Sequence, residues 1–532
     1  MHVKRIMSIL IILLLGGILI ACSDSSNTNN DEDNDRDQEN EEENEVTQGG
    51  ELNIAFSAQP PTLDIHLSTA TATRDISQHI FEPLVTLNSS LEVEPMLAES
   101  YEISEDGKTI TFYLREGIKF HNGEDMTAED VIASLERWQG QSAQAKTYHS
   151  QTVFTAEDDY TVVAEIENPS TLDMYVLADM TQFAAIMPKD VIENVSDDGV
   201  EEIVGTGPYA LEEWRQDQYI HLKKFADYQS RSEPADGLAG EKKAPMDDMY
   251  FHFITDSSTR LAGIQTGEYD IAIDIPHDDA ATLEAAGDVR NEVFASSMLI
   301  IMLNNKEGVF SNQKIRQAAN AAINMEDILT ASFVNEEYYI KDHALVKEEQ
   351  AGWYTDAGSD IYHTYDPELA EQLLDEAGYD GEEVVLLTNR DYETHYNTAV
   401  IMQSQLEAVG MNVTMDVRDW PTAIEMAEDP SAFDAFYSGF AFRPMPIQQL
   451  FLNPEYIGWP ESEELQRLSE QILQASSLEE AQSFSEEFHR VYYEEMPALK
   501  AGNTTNIVSL RENIDGLQFI SGPILWNITK TE

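Results

Sequence analysis

The apolar positions of residues 384–443 follow a strand–helix–strand–helix–strand order. Val384–Thr388 is a short apolar run typical of a buried strand, and Met411–Val417 alternates as a second strand would. The helix predicted between them carries one apolar face, at Ala399, Met402, Leu406 and Val409. Trp420 and Pro421 open a second helix, and Phe433–Phe440 is an aromatic-rich third strand. This order predicts a parallel sheet with crossover helices, an α/β fold.

The loops that follow these strands carry the candidate binding residues. In parallel sheets, ligands bind beyond the carboxyl ends of the strands. The residues directly after the predicted strands are Arg390, Asp391, Tyr392, Trp420 and Arg443. Two arginines and two aromatic side chains suit a small ligand with a carboxylate and an apolar part. The structural alternative is that Trp420 caps a core and Arg390 is a solvated turn residue.

The same patterns recur through the rest of the chain. Residues 49–56 alternate as a strand that leads into a rigid loop with two prolines, Pro60 and Pro61. Asp106-Gly107 predicts a hairpin turn. Thr127, with Asp130 three residues later, predicts a capped helix start.

The length of 532 residues predicts two or three domains. The chain has 99 acidic and 31 basic residues, a formal net charge of −68. This charge excludes non-specific nucleic-acid binding, which needs a basic surface, and electrostatic attachment to anionic lipid. It keeps the protein soluble but self-repelling, so we hypothesise that the surface works at high salt or at alkaline pH.

The N-terminus predicts export and a lipid anchor. Lys4 and Arg5 precede the apolar run Ile6–Ile20, which is shorter than a membrane span and fits a signal peptide over residues 1–21. The run leads into Ala21-Cys22, which resembles a bacterial lipobox, with Cys22 as the lipidation site; the alternative is an uncleaved anchor. Residues 22–48 are polar and acidic and predict a disordered tether. The folded body is therefore expected outside the cell membrane and anchored to it.

Motifs of catalysis are missing from the sequence. It has no nucleophile elbow, no H-E-x-x-H and no phosphate loop, and its histidines lack metal-ligand spacing on a helix. Cys22 is the single cysteine, which excludes a disulfide within the chain and a cysteine-based metal site. We expect no enzyme activity, no cofactor and no bound metal, and keep a secreted hydrolase as the distant alternative.

Several short motifs occur in the order found in one protein family. They are Leu63-Asp64, Phe81-Glu82-Pro83-Leu84, Leu97-Ala98-Glu99-Ser100, Phe120-His121-Asn122-Gly123, Gly205-Thr206-Gly207-Pro208-Tyr209, Gln313-Lys314-Ile315-Arg316 and Tyr365-Asp366-Pro367. From about residue 50 onward the chain resembles the extracytoplasmic solute-binding proteins of peptide and nickel ABC importers, solute-binding protein family 5. The resemblance implies a two-lobed, periplasmic-binding-protein-like α/β fold of the class II, cluster C type, with ligand buried between the lobes.

This resemblance gives the expected domain limits. The N-terminal lobe would span 49–295 and include an extra subdomain at about 85–200. The second lobe would span 296–500, and 501–532 would return to the first lobe. The apolar strand Ser296–Asn304 and the segment Gly502–Ser509 would be crossings between the lobes.

The resemblance also implies a ligand class and a set of contacts. Arg390 occupies a place similar to that of the arginine that grips the ligand carboxylate in dipeptide-binding relatives. Those relatives place an acid after the later aromatic strand to pair with the peptide amine, whereas here Arg443 stands nearby instead. The expected ligand is therefore a peptide or a peptide-like anionic solute, delivered to an ABC permease by a monomeric receptor; the alternative is a nickel chelate. The predicted ligand-binding residues are Pro61, Thr62, Leu63, Arg390, Tyr392, Trp420, Tyr437, Phe440 and Arg443.

Overall fold

The computed structural model describes residues 46–47, 49–196, 199–285, 287–333, 335–362, 364–475, 477–520 and 522–531. The predicted signal peptide, Cys22 and nearly all of the predicted tether lie outside the described residues. No helix in these ranges combines the length and the apolar character that a membrane span requires.

The strands of the first part of the chain are β1 (Val46–Thr47), β2 (Glu51–Phe56), β3 (Val85–Leu87), β4 (Val93–Pro95), β5 (Ala98–Ile103), β6 (Thr109–Leu114), β7 (Val153–Asp158), β8 (Thr161–Glu165), β9 (Tyr209–Arg215), β10 (Tyr219–Lys224), β11 (Asp248–Phe253) and β12 (Ile271–Ile273). The later strands are β13 (Val289–Leu303), β14 (Tyr339–Ile340), β15 (Glu383–Asn389), β16 (Asn412–Arg418), β17 (Ala435–Ala441), β18 (Ala498–Arg511), β19 (Ile514–Asp515), β20 (Gln518–Ile520), β21 (Gly522–Ile524) and β22 (Thr529–Thr531).

The α-helices are α1 (Thr71–Ser77), α2 (Ala128–Gln141), α3 (Ala143–Tyr148), α4 (Asp173–Ala178), α5 (Lys189–Glu193), α6 (Ser257–Thr266), α7 (His277–Glu284), α8 (Gln313–Ala322), α9 (Met325–Phe333), α10 (Pro367–Ala377), α11 (Glu393–Ala408), α12 (Trp420–Ala427), α13 (Glu463–Leu473) and α14 (Leu478–Glu495). Short 3₁₀ turns occur at Val309–Ser311, Glu336–Tyr338, Pro446–Gln448 and Leu450–Leu452.

The main sheet runs in the order β16-β15-β17-β13-β18-β12-β2-β11-β10-β9, and β14 pairs with β18 beside it. Each end of the sheet contains a parallel portion: β15 is parallel to β16 and β17, and β2 is parallel to β11 and β12. The strands in the middle, β13 and β18, are antiparallel to each other and to their outer neighbours. The two parallel portions are therefore connected through a pair of antiparallel strands.

The strand–helix order predicted for residues 384–443 is confirmed. β15, α11, β16, α12 and β17 follow one another, and the predicted apolar face of α11 is buried, with Ala399, Met402 and Leu406 at 0% exposure. The third strand begins at Ala435 rather than at Phe433. Just before it, the Asp434 carboxylate accepts hydrogen bonds from the main-chain N–H groups of Val309 and Val385.

Strand β13 is longer than the strand predicted at Ser296–Asn304, which covered only the apolar part. β13 begins at Val289 and pairs with β18 through residue 302. Its first half is only half-buried and contains Arg290, Asn291 and Glu292, so apolar periodicity could not reveal it. The register shifts between Ala295 and Ser297, and the Ser296 hydroxyl there bonds to the Thr504 carbonyl (3.2 Å).

A separate antiparallel sheet, β5-β6-β8-β7, lies within residues 85–200. Its first hairpin turns at Asp106-Gly107 as predicted, and Gly107 has a φ of +69°. Helix α2 begins as predicted after Thr127, whose main-chain N–H donates to the Asp130 carboxylate (2.9 Å). The buried face of α2 includes Leu135 and Trp138.

Candidate ligand site between the lobes

The loop after β15 is fixed against the start of α11. The Asn389 carboxamide accepts from the Tyr392 main-chain N–H (2.9 Å) and contacts Nδ1 of His395 (2.9 Å). The Thr388 hydroxyl donates to the His395 carbonyl (3.0 Å). Burial lowers the pKa of His395 to about 4, so the ring is neutral at neutral pH and Nδ1 accepts from the Asn389 amide. The loop geometry therefore does not depend on pH near neutrality.

Aromatic rings from the loops after β15 and β16 and from the start of β17 form a cluster beside this loop. The Trp420 ring stacks on Phe436, with centroids 5.8 Å apart and planes at 10°, and Tyr392 meets it edge-on at 5.2 Å. Asp391 accepts a 2.7 Å hydrogen bond from the Trp420 main-chain N–H. Tyr392 is 47% exposed, so the cluster has an open side. The predicted meeting of Asp391, Tyr392 and Trp420 is confirmed, and ligand contact by them remains a prediction.

Arg390 lies at the edge of this cluster. Its guanidinium stacks over the Tyr396 ring at 4.3 Å and donates to the Tyr396 hydroxyl (2.8 Å). The side chain is exposed, and no salt bridge holds it among the described residues. A cation that is supported by a ring but not neutralised is able to bind an anion.

Arg443 has different surroundings from the other predicted residues. Its Nη1 donates to the Thr181 hydroxyl (3.2 Å) and lies 4.0 Å from the Asp179 carboxylate, both within residues 85–200. Its side chain is 29% exposed and lines a cavity of about 290 Å³ together with Trp138 and Gln182. The expectation of one loop cluster with both arginines is thus only partly met: Arg443 reaches from the end of β17 to Asp179 and Thr181 instead.

Three more contacts join residues 170–182, here called the clasp segment, to the end of α13 and to Trp353. The Thr171 hydroxyl donates to the Ile472 carbonyl (2.9 Å) and its N–H to the Leu473 carbonyl (3.3 Å). These two carbonyls belong to the last turn of α13, where no main-chain N–H group of the helix is left to bond to them. Nearby, the Tyr175 and Trp353 rings meet edge-on at 6.4 Å. The clasp segment therefore contacts Arg443, Trp353 and the end of α13 at several points along its length.

The remaining predicted residues differ in exposure. Pro61 is exposed and Thr62 half-buried, whereas Leu63 is fully buried. Tyr437 is buried in the core, where its hydroxyl lies 3.4 Å from the Met402 sulfur. Phe440 is 8% exposed and packs edge-on against Phe451 at 5.0 Å. Leu63 and Tyr437 pack in the core with main chain and side chain both buried, so the structure does not present these two positions to a ligand.

A buried ion pair positions the loop that contains Pro61–Leu63. Both carboxylate oxygens of Asp64 accept from the Arg137 guanidinium, at 2.9 and 2.5 Å, and Oδ2 also accepts from the Val200 N–H (3.0 Å). Burial by itself raises the pKa of Asp64, but the bonds and charge of Arg137 outweigh it and hold that pKa below its ordinary value. Arg137 therefore positions the Pro61–Leu63 loop through Asp64.

Two polar residues at the ends of parallel strands were missed in the sequence. Ser57 follows β2 and Asp274 follows β12, and the Ser57 hydroxyl donates to the Asp274 carboxylate (2.5 Å). Asp274 is exposed and has a φ of +57°. The rule that selected Arg390 would also have selected Asp274, because it directly follows a short buried strand.

Among the described residues, no group of three or more His, Cys, Asp or Glu side chains is arranged to hold a metal ion.

The sequence of this chain is similar to those of known bacterial binding proteins. A family model described as bacterial extracellular solute-binding proteins, family 5 Middle, matches residues 92–455. The chain is 25% identical over 521 residues to the oligopeptide-binding protein AppA of Bacillus subtilis, covering 91% of each. It is 30% identical over 399 residues to the glutathione-binding protein GsiB of Salmonella typhi, covering 73% of this chain and 74% of the relative.

A solved structure shows the same architecture. The periplasmic binding protein DppA of Helicobacter pylori, in complex with the peptide STSA, superposes with a TM-score of 0.71 at 23% identity, over 91% of this chain and 99% of the other. This likeness confirms the predicted two-lobed α/β fold.

Proposed function

The chain belongs to the bacterial extracellular solute-binding proteins of family 5, and we propose that it captures a peptide or peptide-like anionic solute between its lobes for delivery to an ABC permease. As a family member it is a solute-binding protein of an ABC importer. Its relatives are binding proteins, so the expectation that the chain is not an enzyme is confirmed.

The open edge of β17 is the observation that carries the proposal. β13 pairs with β17 from Ala435 to Ala441, whereas β15 pairs on the other side only at Ala435 and Phe436. Beyond Phe436, that side has no strand partner among the described residues. Alternate main-chain N–H and C=O groups of an edge strand point outward, and an extended peptide binds to such an edge by adding a strand. Gly439 and Ala441 are exposed there.

The charges near this edge favour an anionic ligand. Arg443 follows the edge directly, and Arg390 lies after the neighbouring strand β15. Dipeptide-binding relatives are expected to place an acidic residue directly after this strand to pair with the ligand amine. In this chain no acidic residue directly follows β17. The relatives named for oligopeptides and for glutathione, itself a peptide, support a ligand with a peptide backbone.

The two long central strands are proposed as the hinge. β13 and β18 pair with β17 and β14 at one end and with β12 at the other, so both pass from one parallel portion to the next. The register shift at Ala295–Ser297 falls where the proposed first lobe, 49–295, meets the proposed second lobe, 296–500. Residues 501–532 then return to the first lobe, whose extra subdomain is proposed at about 85–200.

A lipid anchor on Cys22 would hold the receptor at the outer face of the cell membrane. The support is the short apolar run that ends at the single cysteine, followed by the acidic stretch. One monomer per anchor is proposed.

Identification of the solute tests the function. The purified chain is unfolded, the released solute is identified by mass spectrometry, and the refolded chain is titrated with it by calorimetry. A peptide or a peptide-like acid is expected, and a metal chelate or a sugar would overturn the proposal.

Strand addition is tested at Gly439. A Cβ there would meet only the Ser297 hydroxyl, at 3.3 Å, so Gly439→Leu should fold normally while keeping a ligand backbone away from the edge. Binding should weaken by at least about tenfold, because the loss of one or more uncharged contacts costs ~1.4 kcal/mol, which is one decade in affinity. Gly140→Leu is the control, because Gly140 is exposed on α2 with open space around it. Equal binding by both variants would exclude the β17 edge.

A further inference from the structure

The residues that follow β12 and β17 face each other across the central strands. Strand β12 is antiparallel to β18, so its end at Ile273 points along the central pair toward the proposed second lobe. Strand β17 is antiparallel to β13, so its end at Ala441 points the opposite way, toward the proposed first lobe. Ile273 lies opposite Val508 and Ala441 lies level with Thr504, so the two strand ends are four residues apart along β18.

Asp274 directly follows β12 and places its carboxylate at the end of the neighbouring strand β2. The carboxylate accepts a 2.5 Å hydrogen bond from the hydroxyl of Ser57, the residue directly after β2. The Arg260 guanidinium donates to the Asp274 main-chain carbonyl (2.7 Å) and supports the left-handed φ of +57° there. Asp274 is exposed, and Ser57 is the single hydrogen-bond donor to its carboxylate within the described ranges. The carboxylate therefore retains free acceptor capacity at this edge of the sheet.

The cations around Asp274 are engaged by other groups. Arg260 bonds to main-chain carbonyls, and Arg74 pairs with the Asp75 carboxylate at 2.7 Å. No lysine, arginine or histidine in the part of the chain that the structure describes forms an ion pair with the Asp274 carboxylate. Burial raises the pKa of Asp75 to about 6, Arg74 opposes that rise, and the charge of Asp274 adds to it. A cation bound to Asp274 would offset this charge.

The strand ends opposite Asp274 carry positive charge. Arg443 is two residues beyond the end of β17, and Arg390 directly follows β15, which is parallel to β17. A peptide with free ends carries an ammonium at one end and a carboxylate at the other, and hydrogen bonds between charged groups are roughly twice as strong as neutral ones. No acidic residue directly follows β17 to pair with the amine, so the acid on the facing strand end is its available partner.

We propose that Asp274 binds the ammonium group of the captured peptide, which then lies with its amino end on the proposed first lobe and its carboxylate on the arginines of the second. This inference rests on the proposed function and adds the requirement for a free amine. It also connects recognition to closure, because a peptide held at both ends joins the two lobes, whereas a peptide with a blocked amine would lose its bond to the first lobe. A ligand shifts such an equilibrium only by its extra affinity for the closed form.

The test uses a synthetic library of random-sequence dipeptides to pentapeptides, with free or acetylated amino ends, on the refolded chain freed of co-purified solute. Captured peptides are identified by mass spectrometry, and the most enriched one is titrated by calorimetry. The parent should bind the free form at least about tenfold more tightly than the acetylated form, because a hydrogen bond between charged groups contributes about a decade of affinity or more. Asp274→Asn keeps an acceptor for Ser57 and suits a left-handed φ, and it should lose most of this preference.

Asp106→Asn is the matched control and should keep the parent's preference. Asp106 is also exposed and accepts from a serine hydroxyl, that of Ser104 (2.8 Å), but it lies in the hairpin between β5 and β6. Equal binding of free and acetylated peptides by the parent would overturn the role of Asp274 and leave peptide capture standing. An undiminished preference in Asp274→Asn would also overturn it, since the preference would then come from the space around the amine. Capture of no peptide in either form would overturn the proposed function, and this inference with it.

Discussion

Arg443 offers the sharpest test of how the lobes hold a ligand. Its bond to Thr181 has a neutral acceptor and lies at a partly exposed position, so under the proposed lobe closure it would stabilise the closed form by about 1 kcal/mol. Thr181→Val removes that bond alone and should weaken solute binding about fivefold, since ~1.4 kcal/mol is one decade. If Arg443 also grips a ligand carboxylate, its removal costs about 2–5 kcal/mol more. Arg443→Ala should then weaken binding by at least about 100-fold.

The assay is calorimetric titration with the identified solute, combined with small-angle scattering to follow closure. Arg467→Ala is the control: this arginine is also in the second lobe, but it is exposed on α13 and pairs with Glu464. If Arg443→Ala weakens solute binding no more than Thr181→Val does, Arg443 is only a contact between the lobes. Binding by Arg443→Ala within twofold of the parent would refute both roles.

Four further predictions concern other parts of the chain. Arg390→Ala should weaken solute binding by tens- to thousand-fold with little change in stability, and Arg390→Lys should not fully rescue it, as calorimetry would show; parent-like binding would leave Arg390 a surface residue. Cys22→Ser should release the protein into the medium or leave it unprocessed, and undiminished lipid labelling would contradict the lipobox. The melting temperature should rise from low to molar NaCl, because counterions screen the net charge of −68, and a flat or falling trend would count against this. Asp64 has a lowered pKa, so its stabilisation should be complete above its unfolded pKa of about 4 and be lost as pH falls through the lower folded value. Arg137→Met should reverse the sign of this pH dependence, because burial alone raises the pKa of Asp64. The substitution should cost about 3–5 kcal/mol in urea titrations at neutral pH, whereas a loss below 1 kcal/mol would show that the pair is not buried as described.

The parts of the fold that follow from local pattern were predictable. The strands and helices of residues 384–443 were found because apolar spacing reports burial on one face, and the Asp106-Gly107 hairpin was found because turn chemistry is local. Strand β13 was predicted only from Ser296 onward. Its earlier residues, such as Arg290 and Glu292, are half-exposed and leave no apolar signal.

The parts of the site that depend on distant pairing were not predictable. Arg443 was placed near Arg390 because both follow strands, but its contact with Thr181 joins residues 262 apart in the chain. The strand ends indicate which side chains reach the edge of a sheet, and tertiary packing decides which element faces them.

The pairing of β13 with β18 limits how the two lobes can move. The strands are joined by main-chain hydrogen bonds from Val289 to Met302, so sliding one past the other would stretch many bonds at once. Twisting a two-stranded ribbon leaves those bonds nearly intact, because strand pairs tolerate a wide range of twist. If this ribbon is the hinge as proposed, the relative motion of the lobes is essentially a rotation about the ribbon axis. Each closure would follow the same path and bring Arg443 back to Thr181 without a search over other orientations.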